Sequence, residues 1–298
     1  MLWQNAQSLG RGTDWGPIKR GDVILGSQTA TNIPLQLIDN KFSTMPETCA
    51  KRCPDPDPCT SGFNGILGVG LFILDCGNIC SDSDDATINP GVYFACDSSG
   101  CYNEFQGGAL KVSSDNQVTN PVSAFSGGFN NGITITLPSI VESGAASVTT
   151  GSLGLGIHSA NSVEVYQADE NGLIDKKSED FITEFGNAEF GEASEKSLSF
   201  IDSGSNGIYF PSPSLPICSK TNSFYCVDTP LDLVAALLGF NDGTAEATSF
   251  QVADAAKLFE SGNTAFNNLC GPSSGDFDWG LPFFLVKLFM WESKVNLL

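Results

Sequence analysis

The sequence is poor in positive charge, in histidine and in long apolar runs, and each scarcity removes a class of function. Fourteen lysines and arginines face thirty-four aspartates and glutamates, a formal charge of −20 over 298 residues. Such a surface repels phosphate backbones and anionic lipid over a Debye length, so nucleic acid is disfavoured as a partner. A Ser-His-Asp or Cys-His site would have to be built on His158, the one histidine. Its setting, GIHSANS, reads as a turn after a strand with no nucleophile motif beside it. The apolar run LPFFLVKLFM near the end carries Lys287 and is about half the ~20 residues of a membrane helix, so no membrane span is expected. The opening MLWQNAQSLG lacks a basic n-region, an apolar h-region and a small-residue cleavage site, the three parts of an export signal.

Cysteine, by contrast, is plentiful. Ten cysteines in a chain with few charges, and an even number of them, point to disulfides and an oxidising compartment. Cys49, Cys53, Cys59, Cys76 and Cys80 share one segment, but they lack the paired C-x2-C spacing of zinc knuckles and no histidine lies near, so no metal is expected. Cys96 and Cys101 bracket DSSG, and Cys218 and Cys226 bracket a short polar loop, so both pairs read as local staples. The acidic run DSDDA at 82–86 lacks the spacing and closing glutamate of a calcium loop and reads as solvated.

Thirty-two glycines and fifteen prolines cut the chain into short apolar runs bounded by turn formers, which predicts a mostly β protein. Examples are GDVILG, NIPLQLI, GVYFAC, GITITLP, SLGLGI, SVEVYQ and SLSFID. The stretch TPLDLVAALLGF is ambiguous. Asp228 or Thr229 could cap a helix starting at Pro230, yet the following NDGT is a hairpin turn signal leading into ATSFQV. The last stretch, LVKLFMWESKVNLL, has no clear period. Trp15 and Trp279 show no spacing that separates them from core packing.

The chemistry-bearing motif is FIDSGSNGIYFP, Phe200 to Pro211. An aspartate after an apolar strand, followed by Ser-Gly-Ser, can have its carboxylate held by hydroxyls and backbone N–H groups. Downstream, DWGLPFFL supplies an apolar-Gly element, and upstream GILGVG at 65–70 supplies a similar one. At these residues the chain resembles the pepsin-like aspartic peptidases, in which an apolar-apolar-Asp-Thr/Ser-Gly-Thr/Ser loop is threaded by a later apolar-apolar-Gly element in each of two lobes. The combination TDWGPIKRGDV, GFNGILGVGLF, FIDSGSNGIYFP, FNNLCG and FDWGLPFF is similar to an uncharacterised family of exported bacterial pepsin-like domains, from about Thr13 to Leu285.

The resemblance implies a bilobal pepsin-like (acid protease) fold, with a partial N-terminal lobe at 1–158 and a C-terminal lobe at 159–298. Ile66, Leu67 and Gly68 match the first-lobe closing element. Asp202 matches the second-lobe catalytic aspartate, Ser203 the hydroxyl that locks the two loops together, Gly204 the motif glycine and Ser205 the hydroxyl that bonds the carboxylate. The chemistry implied is water-mediated hydrolysis of an extended peptide or protein substrate in a cleft between lobes, with two carboxylates sharing a proton. It calls for no cofactor and no metal, and it implies a monomer in the periplasm or outside the cell.

The flap-like segment SLGRGTDWG starts at Ser8, which leaves no room before it for the first-lobe D-[ST]-G, and the place of the flap tyrosine falls near Leu9 or Gly10. The partner aspartate is therefore expected before Met1, the first lobe is expected to be incomplete with exposed apolar surface, and the chain alone is expected to be inactive. Asp75 in FILDCGN is a poor substitute, because Cys76 cannot replace the Ser/Thr hydroxyl and the motif follows GILGVG instead of preceding it. A non-enzymatic alternative is an exported protein that uses the same scaffold to bind peptide or carbohydrate.

Overall fold

A computed structural model describes residues 2–9, 12–39, 41–42, 64–70, 72–86, 89–98, 100–105, 107–147, 150–156, 181–186, 192–220, 223–238, 245–286 and 289–292. The protein is mostly β, as the short apolar runs predict. Its described residues fall into two compact units, one up to Gly132 together with Glu292 and the other from Ile133 to Trp291. The lobe boundary expected at 158/159 lies outside the described residues, as do His158, SVEVYQ, Cys49, Cys53 and Cys59.

In the first unit, β1 (Leu2–Leu9), β2 (Gly12–Leu25), β3 (Gln28–Gln36), β4 (Tyr93–Asp97) and β5 (Gly100–Tyr102) form a sheet in the order β3-β2-β1-β4-β5. Leu9 faces Gly12 across an antiparallel β1–β2 pair, and the described residues of the flap-like segment lie on these two strands. Leu25 faces Gln28, a two-residue turn that needs positive φ and finds it in Gly26 at 59°. Cys96 and Cys101 are register partners across β4 and β5 and are joined by a disulfide. A second disulfide, Cys76–Cys80, which spacing left unassigned, staples α1 (Gly77–Asp82). β6 (Glu104–Phe105) and β7 (Gly108–Ala109) make a small separate hairpin. Trp15 is buried edge-on against Phe94, and its indole N–H donates to the Phe42 carbonyl at 3.2 Å. It is a core residue.

The second unit begins with β8 (Gly132–Thr136) and β9 (Ser152–Leu155), followed by β10 (Phe181–Phe185), β11 (Glu195–Ile201), β12 (Ile208–Phe210), β13 (Leu231–Leu238) and β14 (Ala245–Val252). β15 (Cys270–Pro272), β16 (Phe277–Trp279) and β17 (Phe289–Glu292) complete it. Seven of these strands form one sheet in the order β14-β13-β10-β11-β16-β12-β15, and β17-β8-β9 form another. The ambiguous TPLDLVAALLGF is resolved in favour of the hairpin: β13 pairs with β14 from Leu231↔Val252 to Leu238↔Ala245. Leu233, Ala235 and Leu237 are buried in alternation, a period of two that only a strand can satisfy against this core. Local helix preference of Leu and Ala yields to that burial.

The core of this unit is aromatic. Phe210 and Phe277 stack with centroids 5.3 Å apart, Phe277 and Trp279 stack at 4.6 Å, and Phe185 and Phe250 meet them edge-on or tilted. Cys218–Cys226 closes the loop between β12 and β13 as expected. Cys270 departs from the even-count expectation of full pairing: among the described residues it is a free, fully buried thiol, its Sγ 3.5 Å from the Gln251 carbonyl. Two short helices follow in the chain, α2 (Ala255–Glu260) after β14 and α3 (Leu281–Val286) after β16. Asp254 caps α2, accepting from the Ala256 and Lys257 amides at 3.0 and 3.4 Å. Asp254→Ala is expected to cost ~1 kcal/mol, read as a shift in the urea midpoint.

Candidate functional site

The chain rises through β11, turns at 202–207 and returns through β12, yet β11 and β12 do not pair with each other. β16 runs between them, parallel to β11 with Ile201 opposite Trp279, and antiparallel to β12 with Tyr209 opposite Asp278. The loop is thus threaded by a later segment, and backbone bonds fix it there. The Asp202 amide donates to the Trp279 carbonyl at 3.2 Å, and the Leu281 amide donates to the Ser205 carbonyl at 2.7 Å. Gly280 makes this possible, since a Cβ there would lie 2.0 Å from the Gly207 carbonyl oxygen and 2.8 Å from that of Ser205.

Within the loop the Asp202 carboxylate is held at both oxygens. The Gly204 amide donates to Oδ1 at 2.8 Å, and the Ser205 hydroxyl donates to Oδ2 at 3.0 Å. A third bond, from the Ser205 amide to the Asp202 carbonyl at 3.1 Å, closes the turn. Asp202 is half-buried, while Ser203 and Gly204 are exposed. The structure therefore brings Asp202, Gly204 and Ser205 into one hydrogen-bonded unit. Ser203 adds an exposed hydroxyl beside it.

A family model described as "Protein of unknown function (DUF3443)" matches residues 3–291. The chain belongs to that family. Among solved structures, this DUF3443 chain is similar to the aspartic proteinase from Irpex lacteus, with 12% identity and a TM-score of 0.42 over 95% of this chain and 76% of that one. No curated protein matches the sequence.

The DUF3443 chain contains a second carboxyl at this site that the motif alone does not reveal. Strand alternation sends Phe277 and Trp279, both fully buried, into the aromatic core and leaves Asp278 on the opposite face of β16. Asp278 is Phe200's register partner, and Asp202 lies two residues beyond Phe200, so both acids fall on one face. Asp278 is only 8% exposed, and its Oδ1 has no hydrogen-bond partner among the described residues. Burial pushes its carboxyl up to about 7; the Ser205 hydroxyl opposes that rise and the Asp202 charge adds to it. The available signal was a single acid in the otherwise apolar FDWGLPFF.

The first-unit element behaves differently. Ile66 and Leu67, the counterparts of Asp278 and Trp279 by motif, are 55% and 44% exposed, and a Cβ on Gly68 would meet nothing within 4 Å. Among the described residues no strand pairs with 65–70. Asp75 is engaged elsewhere: the Tyr93 hydroxyl donates to its Oδ1 at 2.6 Å and itself accepts from the Val118 amide at 2.7 Å. Asp82, Asp84 and Asp85 are exposed.

Proposed function

We propose that the Asp202 loop is one half of an aspartic-peptidase-type carboxylate pair on a bilobal pepsin-like scaffold, acting on extended peptides by activating water. The observation that carries this reading is the Asp202 carboxylate, held by Gly204 N–H and the Ser205 hydroxyl on a loop threaded by the Gly280 element. Fixed donors of this kind stabilise and orient a carboxylate that must take a proton from water or return one. The reaction needs two carboxyls, because close like charges split their titration into one acid and one base. Asp202 is the one Asp-Ser/Thr-Gly aspartate in these 298 residues, and the closing element at Ile66–Gly68 carries no paired loop among the described residues. The chain by itself therefore turns over no peptide. Three disulfides support an oxidising, exported setting.

The test has two arms. The 298-residue chain, incubated with a peptide library at acidic and neutral pH, is expected to give no pepstatin-sensitive cleavage; cleavage abolished by Asp202→Asn would overturn the inactivity. A DUF3443 member that carries a second apolar-Asp-Ser/Thr-Gly is expected to cleave peptides and to lose at least ~10³-fold in kcat when the Asp202 counterpart becomes Asn. If that member binds peptide or carbohydrate, turns nothing over and tolerates the substitution, the scaffold is a binding protein and the peptidase reading fails.

A further inference from the structure

The sheet that carries the aromatic core also buries two hydroxyls, at positions where apolar side chains would pack as well. On β10 the buried residues are Phe181, Thr183 and Phe185, and on β11 the one buried residue is Ser199. Thr183, Ser199 and Trp279 are all fully buried, and they satisfy one another. The Trp279 indole N–H donates to Thr183 Oγ1 at 3.0 Å. The Ser199 hydroxyl lies 2.7 Å from the same oxygen and 3.0 Å from the Ser197 carbonyl. Since β10, β11 and β16 are neighbours in that order, the indole reaches across β11, a span of about 10 Å between the outer two strands.

An indole N–H buried without an acceptor carries the desolvation cost of a lost hydrogen bond. Valine would fill the same space as Thr183 and offer no acceptor, so the hydroxyl at 183 fixes how the indole lies, and with it the backbone at Trp279. Asp202 rests on that backbone. The Trp279 carbonyl accepts the Asp202 amide at 3.2 Å, and the next residue, Gly280, is threaded so closely that a Cβ would lie 2.0 Å from the Gly207 carbonyl oxygen. We propose that Thr183 is a positioning residue for Asp202, acting at one remove through the Trp279 indole. The functional meaning of this hold rests on the reading of Asp202 as a catalytic-type aspartate; the hold itself does not.

The far ends of the strands on either side of the loop are tied separately. Glu192, just before β11, accepts through Oε1 from the Ser212 hydroxyl at 2.7 Å, from the Ser214 amide at 3.0 Å and from the Ser214 hydroxyl, all just after β12. The base of the loop is therefore braced without Trp279, and a loss of the indole bond is felt at the apex, where Asp202 and Leu281 make their backbone bonds.

The experiment is amide hydrogen exchange of the full chain followed by 15N NMR. It compares the Asp202 and Leu281 amides with those of the β13–β14 ladder, which lies on the far side of β10 from Trp279. Thr183→Val is expected to speed exchange at Asp202 and Leu281 at least ~10-fold more than in that ladder. Thr183→Ser, which keeps the hydroxyl, is expected to hold the Asp202 rate within ~3-fold of the parent. In Trp279→Phe, where no indole N–H remains, adding Thr183→Val should change the Asp202 rate by less than ~3-fold. Should the valine variant not fold, Thr183→Cys, with a weak acceptor of similar size, is read in its place. Equal acceleration at Asp202 and in the ladder, a serine variant as fast as the valine one, or an undiminished valine effect in Trp279→Phe overturns the proposal. No peptide turnover is read, so a failed peptidase reading leaves this result standing, and an Asp202 amide indifferent to Thr183 leaves the peptidase reading untouched.

Discussion

Gly280→Ala is expected to destabilise the second unit by more than ~3 kcal/mol, beyond the ordinary range for overpacking. The added methyl would lie 2.0 Å from one carbonyl oxygen and 2.8 Å from another, and both belong to backbone. A side chain could swing away, but the Gly207 and Ser205 carbonyls can retreat only by pulling the 202–207 loop off β16. That movement breaks the Leu281 amide to Ser205 carbonyl bond and draws Asp202 from the Trp279 carbonyl. The same substitution at Gly68, the motif counterpart, meets nothing within 4 Å and is expected to stay within ~0.5 kcal/mol of the parent. Urea unfolding followed by amide hydrogen exchange at Asp202, Ser205 and Ile208 reads both. Equal costs at the two glycines would show that the second-unit loop is not held by threading.

That contrast bears on what the sequence made legible. Strands were readable because one buried face imposes a period of two, and β4, β8 and β11 fall on GVYFAC, GITITLP and SLSFID. β13 was readable only as a choice, since Leu and Ala satisfy both a helix and a strand until Leu233, Ala235 and Leu237 meet a core. The local staples Cys96–Cys101 and Cys218–Cys226 could be paired because each closes a short polar turn; Cys76–Cys80 could not, because neighbouring cysteines left its pairing open. Asp202, Gly204 and Ser205 announced themselves by order along the chain. Asp278 did not, because its role depends on which strand lies beside β16 and on which face its side chain emerges. Register is a tertiary property, and one acid in an apolar run gives no hint of the carboxylate two residues past its register partner.

Asp278 also sets the second large effect, a loss of stability as pH rises. Its carboxyl stands at about 7 in the folded chain against an ordinary 3.8. Below pH ~4 folded and unfolded chains both hold this proton; between ~4 and ~7 only the folded chain does, so each rise in pH favours unfolding. The full displacement is worth ~2–4 kcal/mol, present at low pH and gone once pH passes through the folded value. A charge of −20 adds self-repulsion over the same range, so the parent curve alone does not isolate Asp278. The difference from Asp278→Asn does, because that side chain keeps the shape and cannot ionise. Urea midpoints measured at pH 4, 5, 6, 7 and 8 should show the variant gaining on the parent steadily above pH ~4 and levelling off above pH ~7. A constant difference across that range would mean that Asp278 ionises alike in the folded and unfolded chains, and that its burial beside Asp202 has no hold on its proton.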